Sequence, residues 1–436
     1  MKILIVAKLF PPENSIASLR PYSWAKYWSR YGNEITVLTT SKEVRAENFN
    51  FDCSGFNIIS IPLHIPFTRK KKYTNEFDNS VHAPSRNVYS TKKISEHGIK
   101  RIIRNVYDWF ASTTGCFWGC RFPDWTDLWV KKAMKTINPN DFDVLVTTAW
   151  PYSVHRTGLY FRKKGWKGTW ICDWRDSWPD NPLFNGLRIF HCHENKLLRS
   201  FLNKADAVTT VSNAISSFFR SKTTTPVCTI FNGMDEENID IVKSTGISKK
   251  TKFTCAYTGS WGPDRTPVGE LFFGVISSLL HSGKIKEEDF EIVIAGCDLT
   301  ELIEKYNLEK ICKCLGKVPL EEAYKIQLSA DEMLFLSPDY DAKFGGVLSG
   351  KIFEYLYLAN DIMAIGCTGV SPACKLIKES NSGEWFGNDT DKIELYLLER
   401  IKNPEPREKK WEIIRQFSRE KQAKAMLDII EKCRNK

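Results

Sequence analysis

Short apolar runs alternate with longer amphipathic stretches along almost the whole chain. The runs are five to seven residues long and nearly continuous in hydrophobicity, as expected for strands buried on both faces of a parallel sheet. They are Lys2–Ala7, Glu34–Thr40, Asp143–Thr148, Thr169–Asp173, Ala207–Val211, Val227–Phe231, Phe253–Thr258, Glu291–Ala295, Glu332–Leu336 and Asp361–Ile365. This alternation predicts right-handed β-α-β units and doubly wound sheets.

The stretches between these runs carry apolar residues at helical spacing. They are Ala17–Arg30, Tyr152–Lys163, His193–Asn203, Gly269–Leu280, Leu320–Leu328 and Lys351–Leu358. A polar segment from Asp235 to Lys252 divides the pattern into two series, and 436 residues suffice for two domains. We therefore expect an α/β protein with two Rossmann-like doubly wound domains, 1–240 and 250–400, facing each other across a cleft. A last amphipathic helix, Glu408–Cys433 within 401–436, is expected to pack back toward the first domain.

Several protein classes are excluded by composition. No stretch approaches the roughly 20 consecutive apolar residues of a transmembrane helix, and Ile3–Ala7 is too short for a signal-peptide core. The 13 cysteines are an odd number, many lie in apolar runs, and none has zinc-ligand spacing. This usage favours free thiols in a reducing compartment, so we expect a cytoplasmic protein without a bound metal.

The positive charge is concentrated in one region. The formal net charge is +10, and ten basic against three acidic residues give +7 between Arg69 and Arg104. Apolar and aromatic residues overlap or follow this region, namely Ile102, Ile103, Val106, Tyr107, Trp109, Phe110, Phe117 and Trp118. Such a combination suits an anionic bilayer, so we expect an insert around 64–125 that holds the protein on the inner face of the cytoplasmic membrane. The alternative is a solvated loop followed by a core helix.

Three polar clusters follow strands of the first series, where doubly wound sheets bind their ligands. The clusters are Lys8–Ser15 with Arg20 in the next helix, Trp150–His155, and Asp173–Pro179. Alternating charges at the end of an apolar strand are costly to bury unless they are paired or in use. We therefore expect Arg175 and Asp176 to act on a ligand, with Trp174 and Trp178 as a cleft wall.

Each of these clusters also has a structural interpretation. The first is equally a turn stiffened by two prolines. Taken alone, His155 is better explained as a capping or core histidine than as a ligand-binding residue. A structural pair of arginine and aspartate is the less favoured alternative for the third cluster.

Two glycine-containing clusters follow strands of the second series. The clusters are Thr258–Arg265 (TGSWGPDR) and Gly345–Tyr355 (GGVLSGKIFEY). Glycine lets the backbone approach a ligand closely, and amides at a helix start, together with Lys351 and Arg265, suit a diphosphate. The carboxylate of Glu354 lies one turn further along and suits ribose hydroxyls. A surface turn, a solvated lysine and a glutamate favoured by the helix dipole are the alternatives.

Taken together, the clusters resemble retaining GT-B glycosyltransferases of family four, especially the subgroup that builds bacterial surface polysaccharides. The resemblance spans nearly the whole chain. Its motifs are Lys2–Glu13 (KILIVAKLFPPE), Asp173–Pro179 (DWRDSWP), Ala207–Ser212 (AVTTVS), Asn232-Gly233, Tyr257–Gly259, Gly316–Val318 and Gly350–Leu356 (GKIFEYL). The resemblance implies a nucleotide-sugar donor bound by the second domain.

The resemblance also implies individual roles. Glu354 matches the second glutamate of the family's paired motif, which contacts the donor ribose. Arg265 and Lys351 would stabilise the leaving nucleotide diphosphate, and Asp173–Asp176 would face the sugar. The implied donor-binding residues are Gly259, Gly316, Val318, Ser349, Gly350 and Glu354, the catalytic residues are Arg175, Asp176, Arg265 and Lys351, and the acceptor-side residues are Glu13, Arg20 and His155.

The chain departs from the family pattern at four places. Gly346 stands where the first paired glutamate would fall. Ser15 and Ile16 lie near the usual glycine pair. Ser260 replaces a basic residue, and Arg175 stands where many relatives carry a histidine.

These observations predict a glycosyltransferase that moves a sugar, with retention, from a nucleotide sugar to a glycan acceptor. The subgroup further implies a lipid-linked acceptor in lipopolysaccharide O-antigen or capsule biosynthesis. No metal is expected, because basic side chains can supply the positive charge. A GT-B-fold nucleotide-sugar epimerase and a non-catalytic protein that binds an anionic polymer are the alternatives. A dehydrogenase is disfavoured, since neither domain has G-x-G-x-x-G after its first strand.

Overall fold

A computed structural model describes residues 1–13, 15–41, 51–65, 99–180, 184–244, 251–262, 264–337, 348–366 and 371–435. These residues form two compact units, Met1–Ile230 with Ala423–Lys436, and Phe231–Gln422. The boundary at Ile230 lies before the polar segment Asp235–Lys252 in which we expected the linker. That segment begins instead with a helix of the second unit, Glu236–Ser244.

The described part of the first unit contains a seven-stranded parallel sheet of order β3-β2-β1-β4-β5-β6-β7. Its strands are β1 (Lys2–Val6), β2 (Glu34–Thr40), β3 (Asn57–Ile61), β4 (Val144–Thr148), β5 (Thr169–Trp174), β6 (Ala207–Thr210) and β7 (Val227–Thr229). Its helices include α1 (Ile16–Arg30), α2 (Ile99–Thr114), α3 (Thr126–Ala133), α4 (Arg156–Lys163), α5 (His191–Lys204) and α6 (Asn213–Arg220). The strand order reverses between β1 and β4, and ligands of doubly wound sheets bind at such a switch point.

The described part of the second unit contains a six-stranded parallel sheet of order β10-β9-β8-β11-β12-β13. Its strands are β8 (Phe253–Thr258), β9 (Phe290–Ala295), β10 (Cys312–Cys314), β11 (Glu332–Ser337), β12 (Asp361–Gly366) and β13 (Gly383–Gly387). Its helices include α7 (Glu236–Ser244), α8 (Thr266–His281), α9 (Thr300–Lys305), α10 (Leu320–Ser329), α11 (Gly350–Leu358), α12 (Pro372–Glu379), α13 (Thr390–Lys402) and α14 (Trp411–Ile414). The switch point of this sheet lies between β8 and β11.

The strands in the middle of each sheet follow the predicted apolar runs closely. The runs at Glu34–Thr40 and Phe253–Thr258 coincide with β2 and β8, and every residue of β8 is buried. The strands β3 and β13, which the hydrophobic pattern did not predict, lie at sheet edges and are only partly buried. An edge strand needs no continuous apolar run, so the pattern misses it.

The C-terminal segment is interrupted where one helix was expected over Glu408–Cys433. After α14, the backbone of Ser418 is extended, and α15 (Arg419–Arg434) begins beyond it. Ala423, Met426 and Ile430 of α15 are fully buried in the core of the first unit. The indole nitrogen of Trp28 in α1 also donates a hydrogen bond to the carbonyl of Ala423, at 2.8 Å.

Helix α2 contains Ile102 to Phe110 of the expected insert, and Phe117 and Trp118 follow it. Residues 66–98, which carry seven of the ten basic side chains between Arg69 and Arg104, lie outside the described residues. Gly346 lies outside them as well. No helix in the described parts of the chain is both long and apolar enough to cross a membrane.

Candidate functional site

Three glycines bring the backbone together at the carboxyl ends of β8, β9 and β10. Gly259, Gly296 and Gly316 all adopt positive φ angles, +119°, +97° and +61°. The amide of Gly259 donates to the carbonyl of Ala295 at 2.7 Å, and the amide of Gly296 donates to the carbonyl of Gly316 at 2.6 Å. A Cβ atom on Gly296 would lie 2.8 Å from the backbone of Gly259. We call the end of the sheet formed by these three glycines the glycine surface. An added Cβ atom meets no other atom within 4 Å only at Gly316, so the backbone is open to a ligand there.

Lys351, the second residue of α11, reaches this glycine surface. Its ammonium group donates to the hydroxyl of Tyr257 at 2.6 Å and to the carbonyl of Ser260 at 3.4 Å. It also lies 4.2 Å from the centroid of the Tyr257 ring. A Cβ atom on Gly259 would lie 2.2 Å from Cε of Lys351, so a side chain at position 259 would compete for this space. The structure thus brings together two residues that the sequence assigned to the donor site.

The charges around Lys351 include two further predicted residues. Desolvation and the positive charge of Arg265 lower the pKa of Lys351 to about 7, against the opposing effect of Glu354. Burial also raises the pKa of the Glu354 carboxyl. Arg265 is half-buried at the start of α8, and one guanidinium nitrogen lies 3.9 Å from a carboxylate oxygen of Asp264. The cluster therefore combines two cations, Lys351 and Arg265, with two carboxylates, Glu354 and Asp264.

The remaining predicted donor residues lie at the same end of the sheet. Ser349 precedes the first helical residue, Gly350, and its hydroxyl makes no capping hydrogen bond to the helix. Gly316 lies two residues beyond the end of β10, and its carbonyl accepts a hydrogen bond from the amide of Gly296, whereas Val318 is half-buried against the apolar core. Val318 therefore has a packing role whether or not it contacts a ligand.

The structure places Arg20, which we expected on the acceptor side, in the interior of the first unit. Its guanidinium is buried and forms hydrogen bonds of 3.1 and 2.8 Å to the carboxylate of Asp173, which is also fully buried. The hydroxyls of Thr148 and Thr209 donate to the same carboxylate, each at 2.7 Å. Burial alone would raise the pKa of Asp173, but Arg20 and the hydrogen bonds outweigh it and lower the pKa. Asp173, which was expected to face the sugar, is thus part of a structural ion pair.

His155, which we also expected on the acceptor side, lies in the interior of the first unit as well. The side chain is fully buried, its Nδ1 lies 2.7 Å from the Thr147 hydroxyl, and its ring centroid lies 4.2 Å from that of Trp174. Burial lowers the pKa of His155 to about 3, so the imidazole is neutral at physiological pH. Trp174 and Trp178, expected as a cleft wall, are buried and stacked on each other. All three rings therefore lie in the interior of the first unit, where the Nε2 atom of His155 has no hydrogen-bond partner among the described residues.

Arg175 and Asp176, by contrast, lie near the surface just beyond the end of β5. Asp176 is exposed, and Arg175 is half-buried with its Nε donating to the carbonyl of Ala149. Glu13, which is half-buried, and Asp176 both act electrostatically on Arg175. The structure therefore groups three of the predicted residues of the first unit.

Sequence reasoning missed two side chains beside this group. Lys8 follows β1, and its ammonium lies 4.0 Å from the centroid of the Trp150 ring, which follows β4. The indole nitrogen of Trp150 donates to the sulfur of Cys120 at 3.1 Å. Both residues were inside predicted clusters, but only their position at the switch point between β1 and β4 distinguishes them from their neighbours.

In the second unit, Gly296 and Gln327 were missed as well. Gly296 follows an apolar run, which is the same signal that identified Gly259. Gln327 lies within α10 and carries no local signal. No group of three histidine, cysteine, aspartate or glutamate side chains suited to a metal ion occurs in the described segments.

Comparison with known proteins found matches in structure alone, since no family model and no curated protein sequence matches the chain. A sucrose-phosphate synthase from Thermosynechococcus elongatus aligns over 99% of this chain and 98% of its own, with 9% identity and a TM-score of 0.59. An E. coli trehalose-6-phosphate structure bound with UDP-2-fluoro glucose aligns over 99% and 96%, with 12% identity and a TM-score of 0.56.

A third match is a UDP-forming α,α-trehalose-phosphate synthase from Burkholderia xenovorans in complex with glucose-6-phosphate. It aligns over 99% of both chains, with 9% identity and a TM-score of 0.60. The chain has the GT-B fold. The predicted α/β class with two Rossmann-like domains is thereby confirmed.

Proposed function

We propose that this GT-B protein is a glycosyltransferase that moves a sugar from a nucleotide-sugar donor to a glycan acceptor. The observation that carries the proposal is the contact of Lys351 with the glycine surface at Gly259, within the electrostatic reach of Arg265 and Glu354. A bare backbone surface beside two cations suits a diphosphate, and a nearby carboxylate suits ribose hydroxyls. The bound UDP-2-fluoro glucose of the E. coli structure makes UDP the first nucleotide to test.

The proposed chemistry is electrostatic. Breaking a glycosyl–phosphate bond places negative charge on the departing nucleotide diphosphate, which Lys351 and Arg265 would stabilise. We assign to Asp176 and Arg175 the orientation of the transferred sugar or the acceptor. Retention through front-face attack, as in glycosyltransferases of family four, needs no protein nucleophile. A metal is not part of the proposal, because the two basic side chains supply the positive charge.

Helix α2 supports the further proposal that the acceptor is lipid-linked and that the protein works at an anionic membrane surface. Ile102, Val106 and Trp109 stand at i, i+4 and i+7 on one face and are 62%, 58% and 66% exposed. Exposed apolar stripes beside basic residues favour an interfacial helix at an anionic bilayer. This position would suit a cytoplasmic enzyme that extends a lipid-linked O-antigen or capsule glycan.

The decisive experiment for the glycosyltransferase is a thermal-shift screen against UDP-, GDP-, dTDP- and CMP-sugars. A donor at 100 times its Kd stabilises the folded state by about 2.7 kcal/mol. We expect one nucleotide class to raise Tm, and we expect Lys351→Met and Glu354→Gln to reduce that rise while leaving the ligand-free Tm within a few degrees. Absence of any shift with all four classes would contradict the proposal.

Membrane binding is tested separately by co-sedimentation with vesicles of phosphatidylcholine alone or mixed with phosphatidylglycerol. Binding should require the anionic lipid, fall with salt, and decrease when Ile102, Val106 and Trp109 are changed together to serine. Neutralising Arg69–Lys72 with Arg101 and Arg104 should weaken it as well. Leu395→Ser is the matched control, because Leu395 is 69% exposed on α13. Equal binding to both vesicles, or none to either, would refute a membrane role and leave the donor site unaffected.

A further inference from the structure

Gln327 contacts both Glu354, the residue proposed to bind the donor ribose, and β8, the strand that ends just before Gly259. Its side chain is buried, at 1% exposure, and its amide nitrogen donates to the hydroxyl of Thr258 at 2.9 Å. The same nitrogen lies 3.4 Å from a carboxylate oxygen of Glu354, at the long end of hydrogen-bond distances. We propose that Gln327 is a positioning residue that orients the Glu354 carboxylate for binding the ribose hydroxyls of the donor. This inference rests on the proposed donor site.

The chemistry of the two side chains fixes the orientation of the amide. An ionised carboxylate only accepts hydrogen bonds, so the NH2 group of Gln327 and not its carbonyl must face Glu354. One NH2 group has two hydrogens, which suffice for Thr258 and Glu354 together. The carbonyl oxygen of Gln327 is buried and has no hydrogen-bond partner among the described residues.

Thr258 is held from a second side by Tyr355. The amide of Thr258 donates to the Tyr355 hydroxyl at 3.1 Å, and this hydroxyl lies 3.3 Å from the carbonyl of Thr258. The register of β8 and β11 covers only Cys255 and Ala256 of β8, so these side chains contact the strand where its pairing with β11 has ended. Gln327 and Tyr355 thereby tie α10 and α11 to the residue just before Gly259.

The electrostatics agree with this geometry. Burial raises the pKa of Glu354, and the hydrogen bond from Gln327 is the largest effect that opposes the rise, ahead of Arg419 and Lys351. Removing the amide should therefore favour the protonated carboxyl. A protonated Glu354 accepts hydrogen bonds less well, so the preference for a ribose over a 2′-deoxyribose should weaken.

The test compares UDP with 2′-deoxy-UDP by calorimetry at several pH values. The Kd of 2′-deoxy-UDP divided by the Kd of UDP measures the preference for the ribose. This ratio isolates the ribose contact, since protonation of the phosphates affects both ligands alike. We expect Gln327→Met, which keeps the length of the side chain, to lower this ratio at least about threefold. Alternatively, the ratio should begin to fall at a higher pH than in the wild-type protein when the pH is lowered. Gln327→Leu serves as the second variant if the first does not fold.

Ile326→Ala is the control, because Ile326 is a buried neighbour on α10 that belongs to the apolar core. It should lower Tm and leave the ratio unchanged. In the Glu354→Gln background, Gln327→Met should cause no further loss of the ratio. If Gln327→Met and Gln327→Leu both keep the wild-type ratio while Glu354→Gln loses the preference for ribose, the role proposed for Gln327 is overturned and the ribose site at Glu354 stands. No preference in the wild-type protein would overturn the ribose site and the inference together.

Discussion

The ammonium group of Lys351 lies 2.6 Å from the hydroxyl oxygen of Tyr257 and 4.2 Å from the centroid of its ring. The lysine is thus held at the end of β8 by a hydrogen bond and a cation–π contact. Because desolvation and Arg265 lower the pKa of Lys351 to about 7, its charge changes within the physiological range. This property makes the proposed diphosphate site sensitive to pH.

Binding of the nucleotide sugar should weaken as pH rises above about 7. A diphosphate favours the charged lysine, so above this pH each binding event must take up a proton, and Kd should rise by at most about tenfold per pH unit. Calorimetry in two buffers of different ionisation enthalpy measures the uptake. Lys351→Arg should bind with little pH dependence, because arginine stays protonated. A wild-type Kd that is constant from pH 6 to 9 without proton uptake would contradict this assignment.

Gly259→Ala should weaken donor binding at least about tenfold. The new Cβ would lie 2.2 Å from Cε of Lys351, at a φ angle of +119° that side chains rarely adopt. The matched control is Gly283→Ala, which also has a positive φ angle, +66°, but no atom within 4 Å of the added Cβ. Both variants should lose about 1–3 kcal/mol of stability from backbone strain, and only the first should lose binding. Equal donor affinity in the two variants would separate Gly259 from the site.

Asp176→Asn should reduce kcat at least about tenfold while donor Kd and Tm stay nearly unchanged. Asp176 is exposed, so its removal affects stability by less than about 0.5 kcal/mol. A contact made mainly in the transition state lowers turnover more than binding. Steady-state kinetics, calorimetry and thermal unfolding measure the three quantities. If turnover is normal and Tm falls instead, Asp176 has a structural role.

Asp173→Asn should destabilise the first unit by about 3–5 kcal/mol, because it leaves the buried guanidinium of Arg20 without its charge partner. Chemical denaturation measures this loss. The control is Asp180→Asn, which removes the exposed ion pair with Lys222 and should cost less than about 1 kcal/mol. Similar small losses in the two variants would refute the structural role assigned to Asp173.

Glu332 should make the second unit less stable as pH rises from about 4.5 to 7. Burial and the neighbouring Asp361 raise the pKa of Glu332 to about 7, although Arg400 opposes them. The folded state therefore binds more protons than the unfolded state over this interval, and the unfolding free energy decreases with pH. Urea unfolding at pH 5, 6 and 7 should show this decrease, and Glu332→Gln should make it smaller. An unchanged slope in the variant would assign the pH dependence to other groups.

Most of the fold follows from local pattern. The central strands are buried on both faces, so their sequences are continuously apolar, and β8 was predicted to the residue. The edge strand β13 has only a weak pattern, since two of its five residues are only partly buried and its sequence, GEWFG, contains no apolar run. No proline or glycine marks the interruption of the C-terminal helix at Ser418. The local signal there is the serine itself, which caps α15 by accepting a hydrogen bond from the amide of Lys421 and was not recognised as a helix start.

For the site, the sequence determined that Gly259, Lys351, Arg265 and Glu354 follow the ends of strands, where a doubly wound sheet binds its ligands. Tertiary structure alone decided which charged side chains are buried in ion pairs within the core. Arg20 and Asp173, which form the buried ion pair, are 153 positions apart in the sequence. His155 follows the end of a strand, as the exposed Asp176 does, and yet it is buried. A strand-end position is a local property, but the partner that neutralises a buried charge is chosen by packing between distant segments. For this reason the same motif, Asp173–Asp176, contributes one carboxylate to the core and another to the surface.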